Sequence, residues 1–393
     1  MSTIKIKNDF GWQSVASVVE PSHVLAKDVN FYDYDGALVY SYTASEFLIH
    51  NMMPALPKHK GLKGQGWNWS IESALNYVSK YGRLNVGATY ITDDGKTRFY
   101  ISISDPAFMS LRIIFAVNGT VVVDWGDGNT ETITGTSSDL GNSAVLTTND
   151  HTYTSVGDYI ITLDVDGMLS FTNMGSTYNN YGTLMPPISY ATNAKRAVWG
   201  MLTKIETGKN IFAFGENSFR EFYNLKTVTI PEYTYVYVAA FRYCDSLKAL
   251  IVPIGIDVAR AYAYDCHSIN IIVNPHTIKE FRNDNTCTND YCLKSFIIPD
   301  APATLQGGML SNCQCIMSMV IPDAVTTINA NAFSSTSIHE LHFTSTTPPT
   351  VANSNAFSNL PTACKIYVPT GSRSAYTSAT NYPSSSTYTY IEE

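Results

Sequence analysis

Seven cysteines, all between Cys244 and Cys364, are the densest group of metal-ligating or redox-active side chains in the chain. Cys287, Cys292, Cys313 and Cys315 would supply the four thiolates of a structural zinc site. Their spacing, C-x4-C and then C-x-C, is a poor form of the usual ligand pairs. An odd count confined to one region does not make a disulfide framework, and free, buried cysteine is the expected state. Asp124 and Asp127 offer carboxylates to Ca²⁺, but an oxygen cage needs about six or more ligands and no others are evident, so they are read as turn caps. His339 and His342 are three apart on an expected strand, point to opposite faces and do not chelate together. There is no Gly-rich phosphate loop and no G-x-S-x-G elbow. No catalytic residue, metal or cofactor is expected.

One enzyme signature has to be weighed. Asp33-Tyr34-Asp35-Gly36-Ala37-Leu38 resembles the D-x-D-G-T-L run of haloacid-dehalogenase phosphatases. That resemblance implies a nucleophilic first Asp and an acidic second one. The chemistry needs a doubly wound sheet and a downstream Lys and Asp pair, and only about 75 residues are available before the next domain begins. A hairpin turn explains the same residues, and phosphatase is kept as the enzyme alternative.

The elements that would position any site are mostly strands. The chain has 393 residues, 15% charged, 26 tyrosines and a net charge of −8. Average domains carry roughly 25% charge, so this profile is that of β-rich extracellular or virion proteins. No basic run neutralises phosphates, which argues against nucleic acid. No window reaches the roughly 18 apolar residues of a membrane span. Met1 to Pro21 has no unbroken apolar stretch of signal-peptide length.

A repeat dominates the last half. Pro231, Pro253, Pro275, Pro299, Pro322 and Pro369 follow one another at 22, 22, 24, 23 and 47 residues, the last being two periods with Phe343-Thr344 as the missing member. Six residues before each marker comes Leu225, Leu247, Ile269, Leu293, Ile316, Ile338 or Ala363. Three later comes Val228, Leu250, Ile272, Phe296, Met319, Leu341 or Ile366. The frame L-x-x-L-x-L thus occurs seven times, each giving a short strand that only stacked neighbours can bury. Proline lacks an N–H and ends each strand. Phe219, Phe241, Ala263, Cys287, Leu310, Phe333 and Phe357 form a second register of core plugs, and Cys244, Cys266 and Cys313 a third column.

The runs "NSFREFYNLKTVTIPE", "AAFRYCDSLKALIVP" and "NAFSSTSIHELHF" resemble BspA-like leucine-rich repeats over about Asn210 to Pro369. The resemblance implies a surface protein that binds host cells, matrix or other microbes. Ala263 and Cys287 depart from its expected Phe. Further upstream, "VDWGDG" and "HTYTSVGDYIITL" are similar to the PKD family of immunoglobulin-like sandwiches, which implies a spacer or adhesion module without catalysis. Before it, a hairpin at Tyr34-Asp35-Gly36, a capping box at Thr43–Glu46, a helix from Ser70 to Gly82 with Ile71, Leu75 and Val78 on one face, and a hairpin at Asp93–Lys96 make a small unit. That unit resembles a small domain of gut bacteria and their phages.

The expected architecture is mainly β and multidomain. It runs as an N-terminal arm (1–27), a small α+β domain (28–105), a PKD-like β-sandwich (106–172), a connector or solenoid cap (173–209), a BspA-like solenoid with parallel strands (210–371) and a C-terminal tail (372–393), either a capping strand or a partner-binding strip. The outward residues of the solenoid strands read Thr229, Ile251, Val273, Ile297, Val320, His342 and Tyr367. Such a column is either a binding stripe, a consequence of β-branched residues suiting strands, or a face covered by another segment of the chain. Tyr233, Tyr235, Tyr237, Tyr243, Tyr262 and Tyr264 form a second candidate, as binding surface or as a structural stack. The function expected is a non-enzymatic phage virion surface protein, tail fibre, baseplate or head fibre, attached through its arm to other virion or surface proteins. Its solenoid would bind a host-surface protein or glycan, and a homo-oligomer is expected. A decoration protein packed against sister subunits and a bacterial cell-surface adhesin are the alternatives. Neither nucleic acid nor membrane insertion is expected.

Overall fold

The computed structural model describes residues 28–141, 146–171, 198–282 and 284–393, with the backbone of three further short strands, Lys5–Asn8 (β1), Gly11–Ser14 (β2) and Leu184–Met185 (β12). Apart from the β1–β2 pair, the expected arm lies outside the described residues, as does most of the stretch from 172 to 197.

The first module is a four-stranded sheet with two helices. Val29–Tyr32 (β3) and Leu38–Tyr42 (β4) form the hairpin expected at Asp33–Gly36, closed by Asp33 N–H to Ala37 O at 2.8 Å. Helix α1, Ala44–His50, opens on the Thr43/Glu46 capping box. After Leu62–Trp67 (β5) comes helix α2, Ile71–Tyr81, capped by Ser70 and stopped by Gly82 at φ +72°. Leu84–Thr92 (β6) completes the sheet in the order β4-β3-β6-β5. On α2 the buried residues are Ala74, Tyr77, Val78 and Tyr81, with Ile71 and Leu75 half-buried, so the face turned inward is more aromatic than the expected one.

The hairpin expected at Asp93–Lys96 is corrected. The turn forms, with Gly95 N–H donating to Thr92 O and Lys96 N–H to Asp94 Oδ1. Its arms part company, however. β6 stays with β3 and β5, whereas Thr97–Ile103 (β7) pairs with Gly157–Phe171 (β11) and Leu202–Glu206 (β13). Residues 207–209 lie against the turn: Thr92 N–H donates to Thr207 O and Lys209 N–H to Gly95 O. Alternation specifies a strand and leaves its partner open.

β7 belongs to a ten-stranded sheet that also holds Ser110–Asp124 (β8), Thr130–Thr136 (β9), Leu146–Thr152 (β10) and β11. The long β8 changes partner along its length: residues 110–116 pair with β10, and 118–124 with β9. The sheet continues into the repeats. β13 pairs antiparallel with β7 on one side and parallel with Thr227–Val228 on the other, and β11 runs parallel to Ile211–Phe214. It therefore seals the apolar head of the coil.

The repeats wind as a solenoid of about eight turns. One wall holds Thr227–Val228, Ala249–Ile251, Ile271–Val273, Ser295–Phe296, Ser318–Ile321, Glu340–Phe343 and Lys365–Val368. Within it, paired neighbours are parallel and in register, for example Leu250 with Ile272 and Leu341 with Ile366. A second wall has two-residue strands from Tyr235–Val236 to Thr350–Val351. The third side is a run of tight turns. The tail supplies an eighth rung: helix α3, Arg373–Ser378, and Thr389–Glu392, which pairs parallel with Lys365–Val368 and buries Tyr390. All the expected plugs are buried, and Phe219/Phe241 and Phe333/Phe357 stack at interplanar angles of 10° and 15°.

Candidate interaction surface

The outward column of the strand wall splits in two. Thr229 is buried and hydrogen-bonded to Thr207, while Ile251, Val273 and Ile297 are covered by the first module. The expected exposed stripe is thus corrected over these turns, and coverage by the same chain is what the structure shows. β6 crosses the solenoid strands with its alternate residues split between two cores. Leu84, Val86 and Ala88 face the module, whereas Arg83, Asn85 and Gly87 meet Ser318, Ser295 and Ile251. A Cβ on Gly87 would lie 2.4 Å from Ile251 Cγ2, so only glycine admits this approach.

Polar side chains of the module satisfy the backbone where the strands end. Asn68 Nδ2 donates to Val252 O and Val273 O at 2.9 and 3.1 Å, and Trp69 Nε1 to Asn274 O at 2.8 Å. Tyr77 OH donates to Ile298 O at 2.7 Å. The aspartates that follow Pro299 and Pro322 are then clasped by α2. Lys80 Nζ lies 3.0 Å from Asp300 and 2.8 Å from Asp323, and Tyr81 OH donates to both carboxylates. Burial opposes ionisation of Asp323, but hydrogen bonds from Lys80 and Tyr81 outweigh it and hold the carboxyl below its ordinary value. None of these contacts was read from the sequence. The signal lay in Trp67-Asn68-Trp69 and in Tyr77/Tyr81 at helical spacing, too aromatic for a solvated face. Val320, half-buried, still packs against the first module, and beyond Asp323 the cover ends: His342 and Tyr367 are half-exposed, and the His342 ring stacks on Tyr367 at 4.2 Å.

The third side, the turn face, is built on a backbone column. Glu221, Tyr243, Asp265, Asn289, Asn312, Ser335 and Asn359 all have φ between +56° and +69°. Asparagine tolerates this left-handed region best among non-glycine residues. Each such turn throws its neighbours outward. At the head of the solenoid the outward residues are large. Arg242 lies over the rings of Tyr243 and Tyr264 at 4.5 and 4.2 Å and is held by Asp265. Arg220 lies 5.5 Å from the centre of the Tyr243 ring. Trp199, Arg220, Glu221, Tyr223, Tyr243 and Asp245 line a cavity of about 650 Å³. The Trp199 indole N–H is buried there without a partner among the described residues. His267 pairs with Asp245 at 2.9 Å and stacks on the exposed Tyr291. Further down, the same face holds Asn285, Thr288, Ser311, Asn312, Asn331, Ser334 and Ser335 around a shallow polar hollow.

The expected tyrosine cluster is therefore three groups. Tyr243 and Tyr264 belong to the arginine stack. Tyr233, Tyr235 and Tyr237 lie beside the second wall, with Tyr233 and Tyr235 exposed and Arg260 5.1 Å over Tyr237. Tyr262 is in the core, its hydroxyl bonded to Asn274. The four-cysteine grouping is likewise divided, with Cys287 and Cys313 in the core and Cys292 and Cys315 outside it. Burial pushes the Cys244, Cys266, Cys287 and Cys313 thiols well up, and Cys364 to about 11. Asp290 occupies the cysteine position between Cys266 and Cys313; it is fully buried, accepts from Cys266 N–H at 2.8 Å, and burial raises its carboxyl far above the ordinary range.

The side chains with chemical character are used structurally. Asp33 accepts from Tyr34 N–H and lies 2.8 Å from His59, and Asp35 caps Ala37. β3 pairs antiparallel with β4 in a four-stranded sheet, so the doubly wound scaffold of the phosphatase reading is replaced by a hairpin. Asp124 accepts from Gly126 N–H, and Asp127 from Asn129 N–H and the His151 ring at 2.7 Å. The two upstream motifs meet here: His151 stacks on buried Trp125, and Tyr153 OH donates to Trp125 O. Among the described residues no three His, Cys, Asp or Glu side chains converge as metal ligands.

Residues 199–314 and 282–392 match the family described as "BspA type Leucine rich repeat region", in six copies. The C-terminal half is a BspA-type leucine-rich repeat region. No curated protein matches the chain. Among solved structures, a leucine rich cell surface protein from Faecalibacterium prausnitzii is similar at 16% identity and a TM-score of 0.33, over 45% of this chain and 62% of that one. A leucine-rich repeat protein from Bacteroides ovatus is similar at 12% identity and a TM-score of 0.28, over 48% and 72%. The chain thus spans less than two thirds of the length of the first. The BspA-type region ends at the tail, in agreement with the eighth rung.

Proposed function

We propose that this chain is a non-enzymatic surface adhesin that engages a partner protein through the head of its turn face. The observation that carries the reading is the concentration of Trp199, Arg220, Tyr223 and Tyr243 around one cavity, with Arg242 and Tyr264 stacked beside Tyr243, while the lower part of that face is rich in Asn, Ser and Thr. Tyr, Trp and Arg dominate protein-binding hot spots because they combine large apolar area with few rotatable bonds and directional donors. The first module roofs the upper strand wall, whereas the head of the turn face keeps Tyr223 and Tyr291 exposed to a partner. The strands of the PKD-like region are read as an adhesion-type module whose sheet is continuous with the head of the solenoid. Repeats of this type imply a bacterial cell surface; display on a phage particle, attached by the N-terminal arm, is the alternative placement.

Binding of the fluorescently labelled full chain to intact bacterial cells and to immobilised extracellular-matrix protein tests this. The Arg220→Ala/Tyr243→Ser double variant should weaken binding at least tenfold, the loss expected of one hot spot. Equal binding by the variant, or binding by neither protein, would sink the reading. Immunogold labelling of producing cells against released particles decides between the two placements.

A further inference from the structure

Cys292 and Cys315 stand apart from the other five cysteines, which are buried in the solenoid core. Cys292 is half-exposed and Cys315 exposed. They hold the same place in consecutive turns. Each immediately precedes a buried strand residue, Leu293 and Ile316, and each follows by three the ladder residues Asn289 and Asn312. Those two asparagines are in direct register, Asn312 Nδ2 donating to Asn289 Oδ1 at 2.7 Å. Asn289 N–H in turn donates to Ser311 O at 2.9 Å, which fixes the stacking of the two turns just before the cysteines. Ser295–Phe296 and Ser318–Ile321, the strands that follow the two cysteines, belong to separate ladders, so the asparagine contact is what ties these turns together here. Both cysteines follow that contact at the same place on a solvent-facing edge, where an oxidant reaches them.

We propose that Cys292 and Cys315 form an inter-turn disulfide under oxidation, stapling the fourth and fifth turns of the strand wall. The oxidant is a small-molecule disulfide such as oxidised glutathione. One Cys thiolate attacks its S–S bond, expels a glutathione thiolate and leaves a mixed disulfide. The second Cys thiolate then attacks the protein sulfur of that mixed disulfide and expels the second glutathione. Two thiols lose two protons and two electrons, and glutathione disulfide becomes two molecules of reduced glutathione. The staple lies where Lys80 and Tyr81 clasp Asp300 and Asp323, in the turns that follow the same two strands. It locks the two turns that the first module grips at its lower edge.

The full-length chain is incubated with oxidised glutathione, its excess removed, and thiols counted in denaturant. The wild type should fall from seven free thiols to five, with intact mass lower by two hydrogens and a peptide linking the two cysteines. Melting temperature should rise by a few degrees and return on reduction. Cys292→Ser and Cys315→Ser should each form no internal link. Seven thiols remaining in the wild type, a stable glutathione adduct on either cysteine, or linkage between two molecules would overturn the proposal.

Discussion

Ile251 and His342 hold the same position in their turns, and the structure treats them oppositely. Ile251 lies under the first module with its methyl groups against Gly87; His342 stacks on Tyr367 and stays half-exposed. The difference is not in the strands, which are parallel and in register in both regions. It is the length of the roof: β6 and α2 reach from Ile251 to Ser318 and Asp323 and stop there. One solenoid wall thus works as a hydrophobic core in its upper turns and as ordinary surface in its lower ones.

The sharpest way to break that comparison is a charge at equivalent sites. Val273→Asp should cost about 4 kcal/mol or more in urea unfolding, since the carboxylate has no partner under the roof. His342→Asp should cost far less, about 1 kcal/mol, for the half-exposed stack on Tyr367 and the exposed pair with Glu393. Similar losses at both would mean that the roof does not hold in solution. Asn68→Ala comes next. It leaves Gly87 N–H, Val252 O and Val273 O without their side-chain partner, for an expected loss of about 2–3 kcal/mol and faster amide exchange at Gly87. Lys80→Ala should be milder, under about 1 kcal/mol, because the pair is half-exposed and screened by salt. Its pH dependence has a definite sign. The Asp323 pKa is lowered in the folded chain, so its contribution is present above the ordinary carboxylate value near 3.8 and is lost as pH falls below it. Wild type and Lys80→Ala should converge in stability on acidification through that range.

A last substitution probes the solenoid core without touching the roof. Asp290 has a raised pKa in the folded chain, so its protonated form is favoured there and stability falls as pH rises above its unfolded value near 3.8. Asp290→Asn keeps an acceptor for Cys266 N–H and removes that penalty. The variant should melt higher than wild type at neutral pH, and the gap should close below pH 3.8. A lower melting temperature at neutral pH would show that the buried acid is stabilised by a group other than those described.

Much of the solenoid was legible because its physics is local and repeated. Leu225, Leu247 and Ile269 recur with their strand partners, and a residue at that spacing has one way to be buried. The eighth rung was less so: Tyr390 and its neighbours carry no proline marker and few apolar residues, and only pairing with Lys365–Val368 made a strand of them. The turn at Asp93–Lys96 was legible as a turn, but insertion of residues 207–209 beside it sent β6 and β7 to different sheets. The arginine–tyrosine stack was half visible. Tyr243 and Tyr264 stood out by type, but Arg220 and Arg242 join them only because successive turns bring them within 6 Å.

By itself, the sequence determined the period, the inward face of every turn and the positions where strands stop, since alternation and proline act within a few residues. Tertiary structure decided what the outward residues meet. Apolar burial is non-directional, so Ile251, Val273 and Ile297 are equally content under a partner protein or under their own first module. The choice fell to a glycine that lets β6 approach, and to Asn68, Trp69 and Tyr77, which find the carbonyls at the strand ends some two hundred residues away.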